Sequence, residues 1–82
     1  MNFGNALTNL KMGKRVCRTG WNGRDMWLRL IKANDWHPVF GEEKSVMSCL
    51  PFILMKTADG GVVPWTASST DVLSDDWEVT SD

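Results

Sequence analysis

The chain contains no tyrosine, and one histidine, His37, among its 82 residues. That histidine stands beside Pro38 in the least patterned part of the sequence, with no nucleophile pattern nearby, and reads as a loop residue instead of a general base. Cysteine is scarce as well. Cys17 and Cys49 form no CxxC motif and have only His37 as a possible co-ligand, which argues against zinc. A single disulfide would be a poor framework, and no signal peptide or apolar run of membrane-spanning length is visible. The start, Met-Asn-Phe-Gly-Asn, reads as mature. These absences predict a reduced, cytoplasmic protein with no metal, no cofactor and no membrane partner. A basic excess is missing too: nine Lys and Arg stand against ten Asp and Glu, a net charge of −1. Domains that bind duplex DNA usually carry a basic balance, so neither DNA nor RNA is an expected partner. Asp71, Asp75 and Asp76 lie close together, but two of them read as a helix stop, and no carboxylate set has metal-ligand spacing with histidine support. The chain is therefore not expected to be an enzyme.

What is present is concentrated. Five of the 82 residues are tryptophan, each with a large apolar face and one donor N–H. Most tryptophans serve cores and interfaces; stacking on nucleobases is the functional alternative. Charge is split along the chain, with +6 over residues 1–32 and −7 over residues 33–82. Such asymmetry fits an anion site built from the first half, attraction between neighbouring protomers, or a solvated surface without a role. A single domain of this length buries little, and oligomerisation is the expected source of further burial.

Residues 52–71 organise the rest. Phe52-Ile53-Leu54-Met55 is an apolar run of strand length, stopped by Lys56-Thr57. Asp59-Gly60 predicts a type I′ hairpin turn, which needs φ > 0 at both central residues. Val62-Val63-Pro64-Trp65 is the returning strand, confined to a sheet edge because Pro64 has no N–H. Ser68-Ser69-Thr70-Asp71 has capping-box spacing with Asp in place of Glu or Gln. A tryptophan beside hydroxyls and the N–H groups of a helix start suits a polar planar ligand; a core tryptophan beside an ordinary cap is the plainer reading.

Upstream, Phe3, Ala6, Leu7 and Leu10 mark one face of a helix over 3–12, with Asn2 as N-cap and Gly13 in the left-handed position after the last turn. Strands are expected at 14–18 and 26–31, the second with Met26, Leu28 and Leu30 on one face and Trp27, Arg29 and Ile31 on the other. Between them a turn over 19–23 presents Trp21, flanked by Arg18 and Arg24. Residues 32–50 read as loop, with a short strand at 37–40 as the exception. Trp77-Glu78-Val79 is the last strand, with Trp77 and Val79 inward, and residues 80–82 are expected to fray. The sum is an α+β fold: one N-terminal helix packed on an antiparallel sheet of about five short strands, in one domain over 1–82.

Four segments carry a family resemblance: Met1-Asn2-Phe3-Gly4-x-Ala6-Leu7, Gly20-Trp21-Asn22-Gly23, Met55-Lys56-Thr57-Ala58-Asp59-Gly60, and Pro64–Asp71 running on to Asp76-Trp77-Glu78-Val79. Together they resemble the small phage proteins of the second Thoeris anti-defence family. Only residues 32–50 find no match. The resemblance implies a sponge in the host bacterial cytosol: a homotetramer that sequesters a glycocyclic ADP-ribose signal between protomers without destroying it. It also implies that some members take up cyclic dinucleotides at a second kind of site. For such a ligand the chain offers Trp21, Trp27 and Trp65 as stacking faces, Arg18 and Arg24 for phosphate, and Asn22, Ser68, Thr70 and Asp71 for base and ribose edges. Two other readings compete: an enzyme that cleaves the signal, and a protein-interaction module that uses exposed tryptophans as hot spots.

Overall fold

A computed structural model of the chain describes residues 1–21, 25–32 and 50–80. The expected turn residues Asn22 and Gly23, the flanking Arg24, the short strand expected at 37–40, and residues 81–82 lie outside the described residues. Helix α1 spans Phe3–Lys11, and α2 spans Ser69–Leu73. The strands are β1 (Val16–Arg18), β2 (Trp27–Ile31), β3 (Phe52–Lys56), β4 (Val62–Pro64) and β5 (Trp77–Val79). They form one antiparallel sheet in the order β4-β3-β2-β1-β5, the expected α+β architecture.

The ends of α1 follow from side-chain chemistry. The Asn2 side chain accepts a hydrogen bond from the Asn5 N–H at 2.9 Å, satisfying one of the orphan donors of the first turn. At the other end Gly13 adopts φ 87°, and its N–H and that of Lys14 donate to the carbonyls of Leu10 and Asn9 at 2.9 and 3.0 Å. This is a Schellman closure. It also explains why β1 starts at Val16 and not at residue 14: Lys14 still belongs to the helix cap.

Ala6 and Leu10 of α1 are fully buried against Val16, Leu28 and Trp77, with Phe3, Leu7, Leu30, Ile53 and Met55 packed around them. Strand alternation sends Trp27, Arg29 and Ile31 to the opposite face. Pro64 lies on β4, which among the described residues pairs only with β3, so the missing N–H falls at an edge as expected.

Two expectations are corrected, and a third holds for the face but not for the burial. The hairpin turn is not type I′: Asp59 is absent from the positive-φ residues, and only Gly60, at φ 91°, is left-handed. The Thr57 N–H donates to the Gly61 carbonyl at 2.8 Å, and the Gly60 N–H donates to that of Thr57 at 3.1 Å, which makes a three-residue loop with a left-handed glycine at its end. Asp59 keeps ordinary φ because its carboxylate is used locally, accepting from the Thr57 hydroxyl and from the Gly61 N–H. Val79 shares the inward face with its cross-strand partner Val16, as expected, but is 40 % exposed, since β5 lies at the sheet edge. Thr80 does not fray; its N–H donates to the Arg15 carbonyl at 3.0 Å.

The loop sets a prediction. Gly60→Ala places an L side chain in the left-handed region, at a cost of about 1–2 kcal/mol. For a domain of this size that lowers the melting temperature by roughly 4–8 °C per kcal/mol. Thermal denaturation followed by circular dichroism checks it, and an unchanged midpoint would contradict the loop geometry.

Candidate ligand-binding site

Four short segments meet at one end of the sheet. Arg18 closes β1 and pairs with Trp77, the first residue of β5. Just beyond it the chain turns, with the Trp21 N–H donating to the Arg18 carbonyl at 3.2 Å. Across from this turn, Ser68 caps α2, its hydroxyl accepting from the Asp71 N–H at 3.1 Å. Asp76 immediately precedes β5.

Their side chains form one network. The Arg18 Nη1 donates to Asp71 Oδ1 at 2.7 Å, and the Arg18 Nε donates to Asp76 Oδ1 at 2.8 Å. The Trp21 Nε1–H donates to the same Asp71 Oδ1 at 3.2 Å. Asp76 Oδ2 accepts from the Gly20 N–H at 2.9 Å, the Thr19 hydroxyl at 3.3 Å and Arg18 Nη2 at 3.4 Å. One guanidinium thus faces two carboxylates, which leaves the trio with a formal charge of −1. The fork geometry of arginine makes this arrangement possible where a lysine would provide only a point charge. One cation of the basic first half is thus paired with two acids of the second half within one chain.

Burial pushes the Asp71 carboxyl upward, but hydrogen bonds from Arg18, Trp21 and Ser68 outweigh it, and its pKa lies below the ordinary aspartate value. Asp76 is lowered chiefly by its bonds from Arg18, with the Gly20 N–H assisting. Groups whose folded pKa is depressed contribute stability above the unfolded value of about 3.9, and lose it as pH falls through the folded value. The melting temperature is accordingly expected to hold between neutral pH and about pH 5 and to fall below about pH 4. In an Asp71→Asn/Asp76→Asn variant it should start lower and fall less steeply. An identical acid limb in that variant would remove these carboxylates from the account.

Above the network stands an aromatic set. Trp77 is 2 % exposed, and its Nε1–H donates to the Asp71 carbonyl at 2.9 Å. Trp21 and Trp65 stand nearly perpendicular to it, at ring-centroid distances of 5.4 and 6.0 Å and interplanar angles of 80° and 85°. Phe3 lies 5.3 Å from Trp77 and 5.8 Å from Trp65. Edge-to-face packing of this kind fixes ring orientation beyond what area burial alone does. Trp21 and Trp65 remain half-buried, each held by Trp77 but reachable from outside.

Of the residues singled out from sequence, Arg18, Trp21, Trp65, Ser68 and Asp71 come together here. Thr70 is exposed on α2, next to Asp71. Trp27 does not join them: it stands on the opposite face of the sheet, under the Arg15 guanidinium at 4.3 Å from the ring centroid. Asn22 and Arg24 lie outside the described residues. Sequence reasoning missed Asp76, taken as part of a helix stop, and missed Trp77 and Phe3 as the packing behind the tryptophan faces. The inward tryptophan of the last strand was the available signal for Trp77; for Asp76 there was only the charge asymmetry. Among the described residues, no group of three His, Cys, Asp or Glu side chains is placed to hold a metal ion. Among them also, no helix is long and apolar enough to cross a membrane.

Residues 1–80 match the family described as the Thoeris anti-defense 2-like domain. The chain is similar to Thoeris anti-defense 2 of Bacillus phage SP01, 42% identical over 85 residues, covering 99% of this chain and 96% of the relative.

Proposed function

Because the chain belongs to the Thoeris anti-defense 2-like family, a phage anti-defence family, we propose that it acts as a sponge, binding a cyclic nucleotide immune signal in the host cytosol and holding it unchanged. The glycocyclic ADP-ribose of Thoeris defence is the ligand we assign, with cyclic dinucleotides as the alternative class. The observation that carries this reading is the bond between the Trp21 indole and Asp71, which fixes an aromatic face beside a carboxylate. An adenine ring needs a flat face for its π-system and an acceptor for its exocyclic amine, and ribose hydroxyls need acceptors too. A carboxylate has about four acceptor sites. Among the described residues the bonds from Arg18 and Trp21 both fall on Asp71 Oδ1, and we assign the other oxygen to the ligand.

Stacking contributes roughly 1–3 kcal/mol per base. Two tryptophan faces, Trp21 and Trp65, with charge-assisted bonds can approach the roughly −12 kcal/mol of nanomolar binding. Arg18 takes a different part from the phosphate contact expected of it. With two carboxylates on its guanidinium the local charge is negative, so its task is to hold Asp71 in place. The diphosphate then falls to Arg24 or to a cation of a neighbouring protomer. Ser68 and Thr70 stay assigned to ribose and base edges. Trp27, on the other sheet face, lies outside this site within one chain.

The groups gathered here bind without driving cleavage, since equal binding of ground and transition states gives no acceleration. Hence the chain is not an enzyme in this reading. Two half-buried tryptophans on an open surface also suit a site completed by a second copy, and we assign a homotetramer with ligand between protomers. Native mass spectrometry with a panel of cyclic nucleotides tests ligand and assembly together. The expected species is four chains carrying glycocyclic ADP-ribose. A monomer that binds the ligand would refute the interface site, and a protein that binds no nucleotide in the panel would favour the protein-interaction reading.

A further inference from the structure

Asp76 and Asp71 flank the same guanidinium but differ in the donors they take. The Asp76 carboxylate accepts four hydrogen bonds, from Arg18 Nε and Nη2, the Thr19 hydroxyl and the Gly20 N–H. Its backbone carbonyl accepts a fifth, from the Thr19 N–H at 3.1 Å. Three of the four side-chain bonds fall on Oδ2, so that oxygen is filled by the protein's own chain. All of these donors belong to the end of β1 and the turn that delivers Trp21. Gly20 shows how closely the fit is made. Its backbone does not need the left-handed region, yet a Cβ added there would lie 2.8 Å from Asp76 Oδ2 and 3.4 Å from Arg18 Nη2. A side chain at this position would have to push the Asp76 carboxylate aside.

We infer that Asp76 is a positioning residue: it fastens Arg18 and the Thr19–Gly20 turn so that Trp21 stands edge-to-face against Trp77 with its indole N–H on Asp71, and it does so without touching the ligand. This rests on the reading of Trp21 as a ligand-stacking face. The logic is one of division. Asp71 orients the ring through the indole N–H; the Asp76 bonds among the described residues all come from the segment that carries the ring. Loss of the Asp76 charge frees the turn, and Trp21 then samples orientations in which the Asp71 bond is open.

Two variants test this. Asp76→Asn keeps the size but turns one acceptor into a donor facing the Gly20 N–H or Arg18. Gly20→Ala keeps the charge and displaces the carboxylate. Both are first checked for folding and oligomer size, so that at least one folded variant is carried forward. The first readout needs no ligand: hydrogen exchange of the Trp21 indole N–H, assigned by its loss in Trp21→Phe. It is expected to speed up at least tenfold in either variant, while the buried Trp77 indole N–H exchanges as in the parent. Unchanged Trp21 exchange overturns the inference. The second readout is affinity for glycocyclic ADP-ribose. Asp76→Asn is expected to lose about tenfold, and the Asp76→Asn/Trp21→Ala double variant to bind no more than about twofold more weakly than Trp21→Ala alone, because both act through one ring. Additive losses would show that Asp76 meets the ligand directly and would overturn the positioning role. If the parent protein does not bind this probe, the functional reading fails, and the exchange measurement still decides the role of Asp76.

Discussion

Trp77→Ala is expected to remove about 3–5 kcal/mol of stability, roughly a quarter or more of what the domain has. The side chain is 2 % exposed and is the largest buried one, touching Phe3, Trp21 and Trp65 and donating to the Asp71 carbonyl. Truncating a buried tryptophan to alanine costs about 3–5 kcal/mol. At roughly 0.05–0.15 kcal/mol per residue, the whole domain has about 4–12 kcal/mol to lose. The same cut removes the support behind both candidate stacking faces. Trp77→Phe keeps a ring and gives up the indole bond, and should fall between the two, with the hydrogen bond accounting for about 1 kcal/mol of its loss. Urea denaturation separates them. A Trp77→Ala protein with parental stability would show that the core lies elsewhere.

The second large effect is on binding. Trp21→Ala and Trp65→Ala are each expected to weaken glycocyclic ADP-ribose binding tenfold or more, about 1.4 kcal/mol or above. Both rings are half-buried, so some melting temperature goes with them. The deciding comparison uses variants shown to be folded and of parental oligomer size. A folded Trp65→Ala protein of parental affinity would remove that residue from the site, and the same result at Trp21 would remove the face held by Asp71.

Local rules made much of the fold legible. Asn2 and Gly13 bracket α1 because caps are read from one or two residues, and β5 was read at its observed bounds because Trp77-Glu78-Val79 alternates cleanly. Pro64 announced an edge because a missing donor has one consequence in a sheet. The hairpin turn was less legible. Asp-Gly serves both a two-residue and a three-residue loop, and what decided between them was the Asp59 carboxylate bonding to Thr57 and Gly61. Val79 marks the limit of a pattern argument: alternation gives the face of a strand, not whether anything lies on top of that face.

The site was legible in its residue types and not in its wiring. Trp21, Trp65 and Asp71 were identifiable as a face, a face and an acceptor. That Arg18 is taken by Asp71 and Asp76 depends on pairing β1 with β5 across nearly the whole chain, which no local spacing encodes. Trp27 looked equivalent to the other tryptophans in composition, but strand alternation put it on the other side of the sheet.

The central claim is that the protein holds its ligand and does not change it. The most direct measurement is to incubate the protein with a slight deficit of glycocyclic ADP-ribose until none remains free, then unfold it by heat and analyse the supernatant by chromatography and mass. The account predicts full recovery of the intact molecule after any incubation time, again able to activate its receptor. Cleavage fragments that accumulate with time, and that disappear on Asp71→Asn, would contradict it.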